Sequence, residues 1–254
     1  MGDICLAISD SIAVVTIDRP PVNALRTQTY TELDQTFSAL AQNNEVKCVI
    51  ITGAGKKAFA AGADVNDFLA LDSNTGAEYT RRNTQIRENI RNFPAPVICA
   101  INGLALGGGF VLALMCDIRV SSEEARLNLS EINMGIIGGT QHIAPYVSPG
   151  TAKIMVYTGD MITAQQALQL GLVDIVVPGP DLLGHCWAIA RKIVSKPPLA
   201  IRYAKQSLNF AYSGGLSQGI EVETKYIEKL WGTRDKNEAV AAFLEKRTPV
   251  FKGV

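Results

Sequence analysis

The sequence predicts an α/β fold, and three observations carry that expectation. Through residue 121 short β-branched or apolar runs alternate with segments of helical spacing, the order that builds a sheet with helices on its faces. Residues 48–52 (CVIIT) are apolar apart from the closing threonine, as strands buried on both faces of a parallel sheet are. Three consecutive glycines, Gly107, Gly108 and Gly109, stand between the strand-like run 96–101 and the apolar segment 110–115. That order reads as strand, turn and buried helix.

Taken in turn, residues 11–18 (SIAVVTID) alternate and are rich in β-branched side chains, which predicts a strand, and Arg19-Pro20-Pro21 stops it. Thr29-x-x-Glu32 has the form of a capping box. After it Tyr30, Leu33, Phe37, Leu40 and Ala41 recur at helical spacing. The strand at 48–52 ends at Gly53, and a loop is expected over residues 53–65. Its Gly53-Ala54-Gly55-Lys56 lacks the spacing of a phosphate-binding loop, which needs four residues between the first glycine and Gly-Lys-Ser/Thr. The small residues Ala60-Ala61-Gly62-Ala63 ahead of Asp64 leave backbone N–H groups uncovered. Residues 65–91 are polar and helical in parts, with Arg81, Arg82 and Arg87 expected on a solvated face.

Pro94 and Pro96 break the chain ahead of the triple glycine. Glycines there admit a close approach to the backbone, and the helix that follows would turn its positive end toward the same spot. The pattern marks a place to hold developing negative charge. A further strand is expected over 118–121, and another glycine-rich turn follows Glu131. Residues 151–158 read as helix, and Thr163-Ala164-Gln165-Gln166 opens a helix closed by Gly171. A last strand covers 174–177. From 181 to 247 three or four helices are expected, with breaks at Pro197-Pro198, Gly214-Gly215 and Thr233-Arg234. The shift in composition near residue 197 divides a core, 1–196, from a helical region, 197–254. No internal repeat of about 20–50 residues marks a solenoid.

The totals narrow the function classes. At 254 residues, one or two domains of roughly 100–200 residues are expected, and 47% hydrophobic residues allow a large core. The 24 Lys and Arg balance the 24 Asp and Glu, which argues against nucleic acid as the partner. The five cysteines are scattered, with no CxxC pair, so buried thiols in a reducing compartment are expected. Cys116, between buried residues, is expected to be inert. The start MGDICLAISD has neither a basic region nor a long apolar stretch, unlike a signal peptide, and no window approaches the roughly 18 apolar residues of a membrane span. A soluble, cytoplasmic protein with no membrane partner is the expectation. No His, Cys, Asp or Glu cluster has metal-ligand spacing, so no metal site is expected.

Six motifs in order resemble the crotonase (enoyl-CoA hydratase/isomerase) superfamily. They are Arg19-Pro-Pro-Val-Asn-Ala-Leu25, Phe59-Ala-Ala-Gly-Ala-Asp64, Asn102-Gly-x-Ala-x-Gly-Gly-Gly109, Met115-Cys-Asp117, Ser130-Glu131 with Gly135, and Thr158-Gly-Asp-x-Ile-Thr-Ala-x-x-Ala167 ahead of Gly171-Leu-Val173. The resemblance covers residues 12–252. It implies a spiral of ββα turns with a C-terminal helical trimerisation region, a homotrimer or dimer of trimers, and an acyl-CoA substrate. Coenzyme A then enters as part of the substrate, and no cofactor is expected. Two backbone N–H groups that bind the thioester oxygen map onto Ala61 and Gly108, in agreement with the glycine argument.

The resemblance also locates the acids. The two glutamates of the family's hydratases map onto Val111 and Glu131, so one carboxylate is present and one absent. Moving a double bond from the 3- to the 2-position needs only one base, and the family's isomerases resemble this chain there. Met134-Gly-Ile-Ile-Gly-Gly139 also looks like their shorter turn. Glu131 is therefore expected to shuttle the proton, with burial raising its pKa. The CoA adenine is expected near Asn23, Ala24 and Leu25 and the loop that includes Lys57. Ala63, Asp64, Val65 and Gly107, with Val111 and His142, complete the expected substrate-binding set. Phe243 and Lys246 are expected to reach the CoA, often from a neighbouring subunit. Asp64 and Asp117 are also expected to hold turn N–H groups. Three alternatives stay open. One is a hydratase with an atypical second acid. Another is a hydrolase or decarboxylase using His142, Tyr146 or Asp67, and the last is a CoA-binding protein without catalysis.

Overall fold

The computed structural model describes residues 2–211 and 214–254. An antiparallel hairpin, β1 (Ile4–Ser9) and β2 (Ile12–Ile17), leads into α1 (Thr27–Gln42). Three turns of a spiral follow. The first is β3 (Cys48–Gly53), β4 (Ala58–Ala60), α2 (Val65–Leu69) and α3 (Ser73–Arg91). The second is β5 (Val97–Ile101), β6 (Leu104–Leu106) and α4 (Gly108–Leu114). The third is β7 (Ile118–Ser122), β8 (Arg126–Asn128), a 3-10 turn (Glu131–Met134), α5 (Thr140–Ile143) and α6 (Pro149–Thr158). Then come β9 (Ile162–Thr163), α7 (Ala164–Gln169) and β10 (Ile175–Val177). The chain ends with α8 (Leu182–Val194), α9 (Pro198–Phe210), α10 (Leu216–Trp231) and α11 (Arg234–Glu245).

Each spiral turn puts one strand in each of two sheets. The larger has the order β1-β2-β3-β5-β7-β10 and the smaller β4-β6-β8-β9. All pairs are parallel except β1 with β2 and β8 with β9. Alternation along each strand sends neighbouring side chains to opposite faces. Val15, Val49, Ile51, Cys99 and Ile101 join the main core. Ile12, Cys48, Ile50, Ile98 and Ala100 face the other way. There Leu182, Cys186 and Ala190, each four residues apart on α8, cover them. This two-sided burial is why residues 48–52 carry no polar alternation.

The α/β class and the strands near 11–18, 48–52, 96–101, 118–121 and 174–177 are observed. So are the cap at Thr163, which accepts from Gln166 N at 3.1 Å, and, among the described residues, four helices from 182 onward. Three readings differ. First, Thr29 and Glu32 do not form a capping box. α1 begins at Thr27, the Thr29 hydroxyl bonds Asp3 at 2.5 Å, and Glu32 accepts the N–H groups of Asp3 (2.6 Å) and Ile4 (3.1 Å). Asp3 and Ile4, at the entry to β1, engage both side chains, and the Thr29 hydroxyl also accepts the Arg26 N–H at 3.3 Å as the third residue of the helix. Second, the loop over 53–65 contains β4, whose three residues are too few to show a period. Third, the structural repeat is real, but the α2–α3 insertion lengthens its first turn and hides any fixed spacing. Lys205 of α9 ties the C-terminal helices to the sheet, donating to Asp117 (2.7 Å) and the Ala95 carbonyl (3.1 Å).

Candidate active site

β4, β6 and β8 run parallel, so the residues that follow them emerge at one end of the smaller sheet. Ala61–63, Gly107–108 and Ser130–Glu131 all line a single cavity of about 240 Å³. The spiral thus delivers three loops to one place.

The first loop is clamped by α1's lead-in. Leu25 N–H donates to the Gly62 carbonyl (2.7 Å) and the Leu25 carbonyl accepts from Asp64 N–H (3.1 Å). Asp64 accepts the Asn66 N–H at 2.9 Å, capping α2, and pairs with Arg19 at 2.5 Å. This clamp corrects one expectation. The Ala61 N–H is spent on the Val22 carbonyl at 3.1 Å and is not free to bind a substrate oxygen. Ala63 lies between the two clamp bonds, and its N–H donates to no atom of the described residues. Ala63 also lines the cavity.

In the second loop Gly107 has φ +49° and donates to the Asn128 carbonyl at 3.0 Å. A Cβ on Gly109 would stand 2.0 Å from the Ala60 carbonyl oxygen, so only glycine lets α4 approach β4 this closely. α4 is seven residues long. Its contribution to the site is individual first-turn N–H groups, that of Gly108 among them, which have no acceptor within the helix.

Glu131 opens the 3-10 turn and lines the cavity. Its Oε2 is buried without a hydrogen-bond partner. Burial raises its pKa above the ordinary carboxylate range, opposed by its own backbone N–H and by Arg87. A Cβ on Gly138 would come within 2.6 Å of Glu131 Oε1, so the glycine turn leaves the room this carboxylate occupies. Val111, 2% exposed, also lines the cavity, as do Met134, Ile136 and Ile137. A proton-accepting group, two unspent N–H donors and an apolar lining can together generate and hold an anion from a bound carbonyl compound.

The fourth wall was not anticipated. Tyr79, Thr80, Asn83 and Arg87 of α3 line the cavity, with Tyr30 of α1. Arg87 was expected on a solvated face. Instead it is half-buried, with its Nη1 3.4 Å from the Tyr30 hydroxyl and its guanidinium 5.9 Å from that ring's centre. Burial raises the pKa of both tyrosines. The available signal was the four-residue spacing of 79, 83 and 87 beside the buried Ile86 and Ile90.

Other expected residues, Val65 excepted, sit apart from the cavity. Asn23 is buried and donates to the carbonyls of Ala54 (3.1 Å) and Ala58 (2.8 Å), Ala24 accepts from Arg19 at 3.1 Å, and Leu25 is core. Lys57 is exposed, and its carbonyl accepts from Leu104. Val65, 53% exposed, reaches the rim. His142 is outside the lining. Its Nδ1 is buried unpaired, and burial and Arg87 lower its pKa. Phe243, 82% exposed, and Lys246 lie at the end of α11 and are not brought to this cavity within one chain. Asp117 holds the Val97 N–H at 2.7 Å, as expected of a turn residue. Among the described residues no three His, Cys, Asp or Glu side chains stand together to hold a metal ion. None of the described helices is long and apolar enough to cross a membrane.

Comparison with known proteins gives consistent results. The family model for enoyl-CoA hydratase/isomerase matches residues 7–254. The short-chain-enoyl-CoA hydratase of Clostridium acetobutylicum is 36% identical over 251 residues, covering 97% of this chain and 96% of that one. The crotonyl-CoA hydratase of Syntrophomonas wolfei is 36% identical over 253 residues, 98% of this chain and 97% of that one. The crystal structure of an enoyl-CoA hydratase from Bacillus anthracis superposes with a TM-score of 0.96 at 35% identity, covering 99% of this chain and all of that one.

Proposed function

The chain belongs to the enoyl-CoA hydratase/isomerase family and is an enzyme of that family acting on acyl-CoA, and from that premise we propose that its reaction is the shift of a 3-enoyl-CoA double bond to the 2-position. The observation that carries this reading is that Glu131 is the only carboxylate among the described residues lining the cavity, and that the apolar Val111 lines it at the position onto which the resemblance maps the hydratases' other glutamate. Hydration requires one group to activate water and another to protonate C2. Isomerisation requires one group that takes a proton and returns it.

The Glu131 carboxylate removes a proton from C2. The electron pair moves into the thioester carbonyl, giving a dienolate whose oxygen accepts from the N–H groups of Ala63 and Gly108. The Glu131 acid then delivers the proton to C4, the C2–C3 double bond forms, and the carbonyl is restored. Each fixed donor in such a site is worth about 2.7–4 kcal/mol to the anion. The unpartnered Oε2 and the raised pKa of Glu131 suit a base that must also release its proton. We assign Ala63 the donor role in place of Ala61, because the Ala61 N–H is already engaged.

The active assembly we propose is a trimer or dimer of trimers. Leu208, Leu216, Trp231, Phe243 and Leu244 on α9–α11 are each more than half exposed, an apolar surface suited to a partner subunit. Phe243 and Lys246 would then reach the CoA of a neighbouring copy, and Asn23–Leu25 and Lys57 would flank its adenine.

The hydratase names of the relatives favour a second reading, hydration with a substitute for the missing acid. Mass spectrometry of a few 3-enoyl, 2-enoyl and β-keto acyl-CoAs after incubation separates the two. Conversion of the 3-enoyl thioester to a conjugated product of unchanged mass is expected. A gain of one water from the 2-enoyl thioester without that conversion would establish hydration. Release of free CoA would establish hydrolysis, and no turnover at all would refute the enzymatic assignment of this site.

A further inference from the structure

We propose that Arg87 and Asn83 recognise a carboxylate carried by the acyl group, so that the preferred substrates are short dicarboxylic acyl thioesters rather than plain fatty ones. The inference rests on the acyl-CoA reading of the cavity and adds the chemical class of the acyl group.

Two side chains of α3 hold unspent donors. Asn83 is 3% exposed, and its Nδ2 has no hydrogen-bond partner. The amide stands near enough to Tyr79 to oppose the rise in that phenol's pKa, yet forms no hydrogen bond of ordinary geometry. One helical turn on, Arg87 Nε is also buried and unpartnered. The only hydrogen bond its guanidinium makes among the described residues is the long one to Tyr30. No carboxylate of the described residues forms an ion pair with Arg87. Glu131 is within electrostatic reach but leaves its own Oε2 unpaired.

Buried donors without acceptors are costly, more so on a charged group. A purely aliphatic acyl chain would complete the desolvation of both side chains and return nothing. A carboxylate would satisfy them together. Residues four apart on a helix present their side chains to the same space, and the guanidinium fork matches a carboxylate in a way an ammonium does not. Location limits chain length. Arg87 Nη1 lies 3.8 Å from where a Cβ on Gly108 would stand, beside the thioester end of the cavity, so the second carboxylate must come from a short acyl group.

Binding of unreactive saturated thioesters tests this without depending on turnover. Succinyl-, glutaryl- and adipoyl-CoA are compared by calorimetry with butyryl-, pentanoyl- and hexanoyl-CoA, with free CoA as reference. Saturated thioesters cannot form the dienolate, so stabilisation of that anion by Arg87 cannot mimic the result. At least one dicarboxylic member is expected to bind about 10–100-fold more tightly than its neutral match. Arg87→Met should abolish that ratio, Arg87→Lys should retain part of it, and Asn83→Leu should reduce it. Thermal melting and affinity for free CoA report whether each variant is folded. Equal affinities within every pair, or a ratio unchanged in a folded Arg87→Met protein, would overturn the inference and leave the proposed reaction standing. Failure of every acylated form to bind better than free CoA would overturn both.

Discussion

Two walls of one cavity are built by opposite means. On one side Ala63 and Gly108 present backbone N–H groups, flanked by the apolar Val111 and by Glu131, the one carboxylate among the described lining residues. On the other, α3 presents side chains, Asn83 and Arg87, over Tyr30 and Tyr79. The first wall is fixed by close backbone contacts, such as that of Gly109 with Ala60, which allow no side chain at all. The second depends on which side chains the helix carries. Chemistry common to thioesters can reside in the first wall, and discrimination among acyl groups in the second.

The largest expected effect lies on the first wall. Glu131→Gln should lower turnover of a 3-enoyl-CoA by about 10²–10⁴-fold, with substrate affinity little changed. Because burial raises the pKa of Glu131 and the carboxylate is the working form, wild-type kcat/KM should begin to fall with acid at a higher pH than for an ordinary glutamate. The sign for stability is opposite. A buried acid with raised pKa is destabilising once ionised, so Glu131→Gln should raise the melting temperature at neutral pH, by roughly 1 kcal/mol in stability. Turnover within a few-fold of wild type would break the assignment of chemistry to this wall.

A smaller loss is expected from removing one donor. Gly108 is the first residue of α4, where proline is tolerated, so Gly108→Pro deletes the N–H and keeps the helix. An added Cβ would meet the Tyr30 hydroxyl at 3.1 Å, so the change is made in a Tyr30→Phe background and compared with that single variant. Turnover should fall about 10²–10³-fold while affinity for free CoA is retained. Equal loss of both would sharpen the comparison the other way, marking the loop as a binding element rather than an anion holder.

The contrast between the walls also explains what could be read from the sequence. The small-residue loops were legible because backbone donors require glycine and alanine there, whereas Glu131 was legible only through the resemblance of the motifs around it to the family. Their exact donors were not. Choosing between Ala61 and Ala63 depends on the clamp by Val22 and Leu25, a contact across more than thirty residues that no local pattern encodes. The strands of the larger sheet were visible as apolar runs, whereas those of the smaller sheet are two or three residues long and carry no period. β1 was missed because, at the sheet edge, it leaves Leu6 and Ile8 nearly half exposed. Arg87 was misread because a polar helix facing a cavity has the same composition as one facing water.

The claim on which the rest depends is that one carboxylate carries the same hydrogen from C2 to C4. A 3-enoyl-CoA deuterated at C2, followed through a single turnover by mass spectrometry and NMR, tests it most directly. The account expects a conjugated product of unchanged carbon and oxygen content with part of the deuterium at C4. A product with no deuterium at C4 at any time, or one hydroxylated at C3, would contradict it.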